Sequence, residues 1–296
     1  MKLIKTFGLM IFFYSCHAQS DSSKLLLNKD DNSLLWQVSG NGLKQPSYLF
    51  GTFHLMCKND IHFSNQLTTA VNRAEKVYME IDMDDPETIL GGMMLMTMKD
   101  GKTLQQLYSE ADYKKIRQYF TDSLKTPLPF IARIKPFFLE ALLYPKMMPC
   151  KLISGVEEEL MKVAKTQKKE IKGLETMEFQ AAVFDSIPYE EQAKELLQSI
   201  DSMASNKKSF DTMMQVYKNQ QINEIENLFS KSESGMENHQ DLLLNNRNKN
   251  WLAQLKSIMK TNPVFVAVGA GHLVGKQGLI ALLRKEGYMV QPLLNQ

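Results

Sequence analysis

Cysteine is scarce, three residues in 296, and that excludes a disulfide framework. No stretch reaches the roughly 18 consecutive apolar residues of a membrane-spanning helix. Neither sign of charge dominates: 35 Lys and Arg stand against 33 Asp and Glu, a formal net charge of +2. Without Lys2 and Lys5, which fall in a segment expected to be removed, the balance is zero. The chain therefore lacks the basic footprint of a nucleic-acid binder, and no nucleic-acid partner is expected. Gly-x-Ser-x-Gly and Walker motifs are absent, as are low-complexity tracts and short-period repeats. What remains is a composition of 44% apolar and 23% charged residues, enough to bury a sizeable core in one large domain or two small ones.

The N-terminus reads as an address. Basic Lys2 and Lys5 precede an apolar run, Thr6 to Tyr14, and then Ser15-Cys16-His17-Ala18-Gln19. A basic start, a short apolar centre and small residues make a secretory signal. Cleavage after Ala18 gives a signal peptide of residues 1–18. Cleavage before Cys16 would instead give a lipoprotein, anchored to a membrane only through a lipidated Cys16. The bulk of Phe13 and Tyr14 favours the first. Residues 19–32 come next as a polar linker and 33–296 as a single domain. The expected location is exported, periplasmic or at the cell surface. Cys57 and Cys150 remain, either paired or separately buried.

Hydrophobic spacing predicts strands at Ser33–Val38, Ser47–Phe50 and Lys76–Asp82, with a helix at Ser64–Glu75 between the last two. Helices are expected at 86–98, at 103–125 and at 129–144, the last kinked or divided by Pro136. Gly155–Thr166 reads as a helix with Glu157, Glu158 and Glu159 in its first turns. A short strand, Glu170–Glu175, precedes a helix from Thr176 to Asp185. Residues from 188 to about 260 are almost entirely of helical pattern. The apolar run Pro263–Val268 reads as a central buried strand, succeeded by a helix at 277–286 and a strand at 288–293. The order is β-β-α-β, a helical middle, and β-α-β. That predicts an α/β (α+β) fold: a split central sheet from N- and C-terminal halves, with a large helical insertion at about 86–260.

Four histidines lie beyond the signal segment: His54, His62, His239 and His272. Two share a setting. Gly51-Thr52-Phe53-His54 and Gly269-Ala270-Gly271-His272 each place His three residues after a Gly at a strand end. In open α/β sheets that is where sites form, and Gly51, Gly269 and Gly271 would let the backbone turn and a substrate approach. One such His is ordinarily structural; two in one setting suggest a shared site. Glu80, in Val77-Tyr78-Met79-Glu80-Ile81, is a carboxylate in an apolar strand: it sits at the strand's exposed end, pairs with a cation such as Arg73, or binds metal. With His54 and His272 it makes a donor set suited to zinc, manganese, cobalt or iron. Glu175, in Gly173-Leu174-Glu175-Thr176, is a general base, a partner of a His, or the first acid of a helix. Arg247, in Asn245-Asn246-Arg247-Asn248, is a substrate clamp or part of a solvated helix face. The glycines of Gly269 to Gly275 are misspaced for a dinucleotide loop. Met93, Met94, Met96 and Met98 are core fill or a pliable apolar groove.

Taken in order, Ser47-Tyr48-Leu49-Phe50-Gly51-Thr52-Phe53-His54, Val77-Tyr78-Met79-Glu80, Gly173-Leu174-Glu175-Thr176, Arg247-Asn248 and Val268-Gly269-Ala270-Gly271-His272-Leu273-Val274-Gly275 resemble the TraB/PrgY/GumN superfamily. That group includes the Tiki metalloproteases of animals, and the resemblance runs from about Trp36 to Val290. It implies a split α/β repeat and a metal-dependent hydrolase, acting on a peptide or protein through a divalent ion (Mn, Co or Zn). By that resemblance His54, Glu80 and His272 are the metal ligands. Glu80, Glu175 and Arg247 become catalytic candidates, and Arg247 also a substrate-binding one. Two alternatives stay open: a non-catalytic protein that sequesters a peptide or haem, and a metal-free acid/base esterase using the same residues.

Overall fold

The computed structural model describes Leu27, residues 31–230 and residues 239–295. The expected signal segment, Cys16 and most of the linker lie outside the described residues.

Strand β1 (Leu35–Ser39) turns back through Gly40, Asn41 and Gly42 into β2 (Ser47–Thr52). All three turn residues have positive φ, 75°, 47° and 80°, which glycine and asparagine adopt at least cost. Short β3 (Met56–Cys57) is next, then α1 (Asn65–Arg73) and β4 (Lys76–Met79). The Ser64 hydroxyl caps α1 by accepting from the Leu67 amide at 3.1 Å. Leu67, Ala70 and Val71, spaced by three and four, are the buried face.

The middle of the chain is mainly helical. It comprises α2 (Pro86–Leu95), α3 (Leu104–Leu107), α4 (Glu110–Gln118), α5 (Pro136–Glu140) and α6 (Tyr144–Met147). After β5 (Ile153–Ser154) come α7 (Val156–Thr166), β6 (Glu170–Gly173), α8 (Met177–Asp185), α9 (Tyr189–Asp201), α10 (Met203–Lys218) and α11 (Ile222–Ser230). A π-helical turn at Asp241–Asn245 leads into α12 (Asn246–Thr261). The chain closes with β7 (Val264–Gly269), α13 (Leu279–Lys285) and β8 (Met289–Pro292).

Two expected helices are broken. The 103–125 helix stops at Tyr108, whose backbone is extended (φ −126°, ψ 156°). It restarts where the Ser109 hydroxyl caps α4. Residues 128–130 make only a 3₁₀ turn, and Pro136 opens α5, a position where its missing N–H costs nothing.

The sheet runs β6-β4-β7-β2-β1-β8. β7 pairs in parallel with both β2 and β4. The C-terminal half therefore enters the gap left open by the N-terminal half, and the sheet is continuous only when both are present. β6, from within the middle span, extends the parallel edge, while β1 runs antiparallel to β2 and β8. Val264–Val268 is buried on both faces, the reason its sequence is an unbroken apolar run. A second core gathers Met98, Leu104, Ile116, Phe120, Leu139 and Leu196 among the middle helices. Met98 is thus core, Met94 is exposed, and the side chain of Met93 lies outside the described residues.

Antiparallel β3 and β5 form a small second sheet, and a Cys57–Cys150 disulfide spanning 93 residues locks them together. The bridge ties the loop after β2 to the helical middle. Replacing both cysteines by serine should lower stability by about 2–4 kcal/mol through the entropy of the longer open loop. Urea unfolding with and without reductant checks this: the native chain should lose stability on reduction and the double variant should not respond.

Candidate active site

The parallel strands β2 and β7 end side by side, with Thr52 opposite Gly269, so both Gly-x-x-His segments leave the sheet at the same edge. Close packing fixes this junction. A Cβ on Gly51 would sit 3.0 Å from the Ala270 Cβ, and one on Gly269 would sit 3.3 Å from a Glu80 oxygen. The Gly51 carbonyl accepts from the buried Tyr217 hydroxyl at 2.8 Å.

β4 ends at Met79, so Glu80 stands one residue beyond the strand rather than within it. Its Oε1 accepts from the Gly269 amide at 2.9 Å. Its Oε2 accepts from Arg247 Nη2 at 2.6 Å, so its cationic partner is Arg247 and not Arg73. Glu175 is placed beside it because the Glu175 amide donates to the Glu80 carbonyl at 3.0 Å. The Glu175 carboxylate takes Arg247 Nε at 2.9 Å, the Trp251 indole N–H at 3.0 Å and the Gln180 amide at 3.1 Å, together with Arg247 Nη2. Glu175 is therefore buried with Arg247 and is not a solvated helix-start acid.

Arg247 lies on the inner face of α12, its side chain 8% exposed. Nη1 donates to the Leu243 carbonyl at 2.9 Å and toward His272 Nε2 at 3.2 Å. With Nε on Glu175 and Nη2 on both acids, every guanidinium nitrogen is engaged inside the protein. Contact with a substrate would cost it one of these bonds. Its Cζ also lies over the Trp251 ring, 4.9 Å from the ring centre, a cation–π contact.

His272 is held as a neutral imidazole. Asn248 Nδ2 donates to the carbonyls of His272 (3.2 Å) and Gln277 (2.8 Å). Its Oδ1, 2.7 Å from His272 Nδ1, must then accept, which places the ring proton on Nδ1. Nε2 is then unprotonated, accepts from Arg247 Nη1 and lies 3.7 Å from Glu80 Oε1. Burial, with Arg247 and His54 nearby, pushes the His272 pKa down to about 3. Burial opposes ionisation of Glu80, but His272 when charged, Arg247, His54 and the Gly269 amide outweigh it and hold that pKa at about 2.

His54 stands apart from this buried core. Its ring is 77% exposed, and Nδ1 lies 2.9 Å from Glu157 Oε1, an oxygen that also accepts from the Thr52 hydroxyl at 2.6 Å. The Glu157 carboxylate raises the His54 pKa to about 9. Gly155 lets α7 start directly under this loop, since a Cβ there would meet the His54 carbonyl at 2.8 Å. The charges of His54, Glu80 and His272 act on one another. The three are not drawn together as a set of ligands, however. Among the described residues only Glu191, Glu195 and His239 bring three such atoms within 4.8 Å of each other.

Sequence reasoning missed Glu157, Gln180 and Trp251 as site residues. Glu157 had the signal of a helix-start acid and nothing more. Trp251 lies four residues after Arg247, one turn along the same face. Because Arg247 neutralises two buried acids, Arg247→Ala should destabilise the fold by about 3–5 kcal/mol. Trp251→Phe, which removes a single donor to a charged acceptor, should cost about 1.5–3 kcal/mol. Urea unfolding of the two variants against the native chain measures both.

Comparison with known proteins gives the same frame. The TraB/PrgY/gumN family matches residues 34–292. Metalloprotease TIKI2 of Danio rerio is 31% identical over 108 residues, 36% of this chain and 21% of that protein. Metalloprotease TIKI1 of Xenopus tropicalis is 28% identical over 120 residues, 39% of this chain and 23% of the relative. Metalloprotease TIKI1 of Danio rerio is 21% identical over 315 residues, 88% of this chain and 63% of the relative. The chain thus spans less than two thirds of the length of each of these relatives. No solved structure matches. A match running from the residue before β1 to the last residue of β8 covers every strand that builds the site, and the chain belongs to the TraB/PrgY/gumN family.

Proposed function

We propose that the protein is a metal-dependent hydrolase of peptides or proteins, with His54, Glu80 and His272 holding a divalent ion of the manganese, cobalt or zinc class. The observation that carries this reading is the His272–Glu80 pair. A fixed, neutral imidazole places its unprotonated Nε2 within 3.7 Å of a carboxylate oxygen, where two buried acids surround a single guanidinium. That cluster has one negative charge in excess, and a cation would compensate it. Two imidazoles and a carboxylate are borderline-metal donors, and such a set leaves open positions for water and substrate.

His54 completes the set by leaving Glu157, which its exposed position permits. Arg247 Nη1 and Nη2 engage His272 Nε2 and Glu80 Oε2, two of the atoms a metal would use, so cation and guanidinium compete for them. Arg247 acts as a positioning residue: it orients both acids from α12. The ion, when bound, supplies a water of lowered pKa and polarises the scissile carbonyl. The Glu157 carboxylate, next to His54, is better placed than the committed oxygens of Glu175 to hold the proton taken from that water. Gly51 and Gly269 are filled by Ala270 and the Glu80 carboxylate, so of the three glycines expected to admit a substrate backbone only Gly271 keeps that role in this reading. The Cys57–Cys150 bridge supports an oxidising compartment, in keeping with export. No helix among the described residues is long and apolar enough to cross a membrane.

The test is cleavage of a quenched-fluorescent peptide library. Turnover should need Mn²⁺, Co²⁺ or Zn²⁺ and stop on chelation. It should fall at least ~10²-fold, on the scale of a lost catalytic group, in His54→Ala, Glu80→Gln and His272→Ala. Turnover that survives both chelation and these substitutions would refute the reading.

A further inference from the structure

His239 has no part in the buried cluster of Glu80, Arg247 and His272. It precedes the π-helical turn Asp241–Asn245, and its side chain is 15% exposed. Nε2 lies 2.9 Å from Glu191 Oε1. Glu191 and Glu195 are four residues apart on α9, so both project from one face of that helix. Glu191, Glu195 and His239 each offer one ligand atom within 4.8 Å of the other two. They come from two segments 44 or more residues apart in the chain. Like charges at this helical spacing repel, and a divalent cation between them turns the repulsion into attraction. One imidazole nitrogen and two carboxylates suit a borderline ion of the zinc or cobalt class rather than calcium, which takes oxygen ligands alone.

We infer that Glu191, Glu195 and His239 form a second divalent-metal site, separate from the buried cluster of Glu80 and His272. Its place in the fold gives it a structural task. α9 packs on α5 in the helical middle. His239 lies four residues before Leu243, whose carbonyl receives Arg247 Nη1 at 2.9 Å. An ion held there ties α9 to the turn that fixes Arg247, so the helical middle and the buried acid cluster are joined by a metal as well as by packing.

The experiment counts Co²⁺ bound to the full chain by equilibrium dialysis and tracks the visible d–d bands of the ion. His239→Ala and Glu195→Gln should each bind one equivalent fewer than the native chain, or bind it at least tenfold more weakly, and lose the matching bands. His54→Ala should leave that equivalent in place. The comparison is a difference from the native chain, so it stands whether or not the cluster of Glu80 and His272 takes an ion. Circular dichroism checks folding, and the conservative Glu191→Gln/Glu195→Gln double variant carries the test should His239→Ala unfold. Native Co²⁺ stoichiometry, affinity and spectrum in these variants would overturn the inference.

Discussion

The site depends on one guanidinium shared between two buried carboxylates. Arg247 bonds Glu80 and Glu175 while touching His272 and the Leu243 carbonyl. Each acid comes from the end of a different strand and the arginine from a helix near the C-terminus, so the cluster forms only when the sheet is assembled. Arg suits this task better than Lys, since its planar fork serves several acceptors at once. Breaking it would strand two charges away from water, a far larger penalty than the loss of any surface pair.

Around that cluster the chain builds two different histidines from one local motif. His272 is buried, neutral and fixed by Asn248. His54 is exposed and paired with Glu157. The difference lies in the path the chain takes on leaving each strand. After β7 it enters a 3₁₀ turn that packs the His272 ring 4.4 Å from that of Trp251. After β2 it runs into a loop pinned by β3, β5 and the disulfide. The same motif thus yields one buried, neutral, fixed imidazole and one exposed imidazole paired with a carboxylate.

Much of this was legible in the sequence, for physical reasons. The apolar run Val264–Val268 could only be a strand covered on both faces, and two Gly-x-x-His segments at strand ends pointed to one edge of a sheet. Strand order was partly legible: two incomplete halves implied a joint sheet, but nothing local says that β7 enters between β2 and β4. Glu80 stood out because a carboxylate after Val77-Tyr78-Met79 needs a partner. The partner itself, Arg247, lies 167 residues away, and no periodicity reports such a distance. Glu157 was hidden because an acid in the first turn of a helix already has a sufficient local reason to be there. Tyr108, where the expected helix breaks, is apolar and well spaced for a helix. Its extended backbone comes with long-range packing, its hydroxyl bonding the Ala193 carbonyl on α9.

The most direct measurement is a crystal structure of the chain grown with Mn²⁺, with anomalous data collected at the manganese edge. The account predicts an anomalous peak bonded to His272 Nε2 and the Glu80 carboxylate, with His54 turned away from Glu157 to join them. An anomalous map with no peak between these residues, and Arg247 still bridging them at saturating metal, would contradict it.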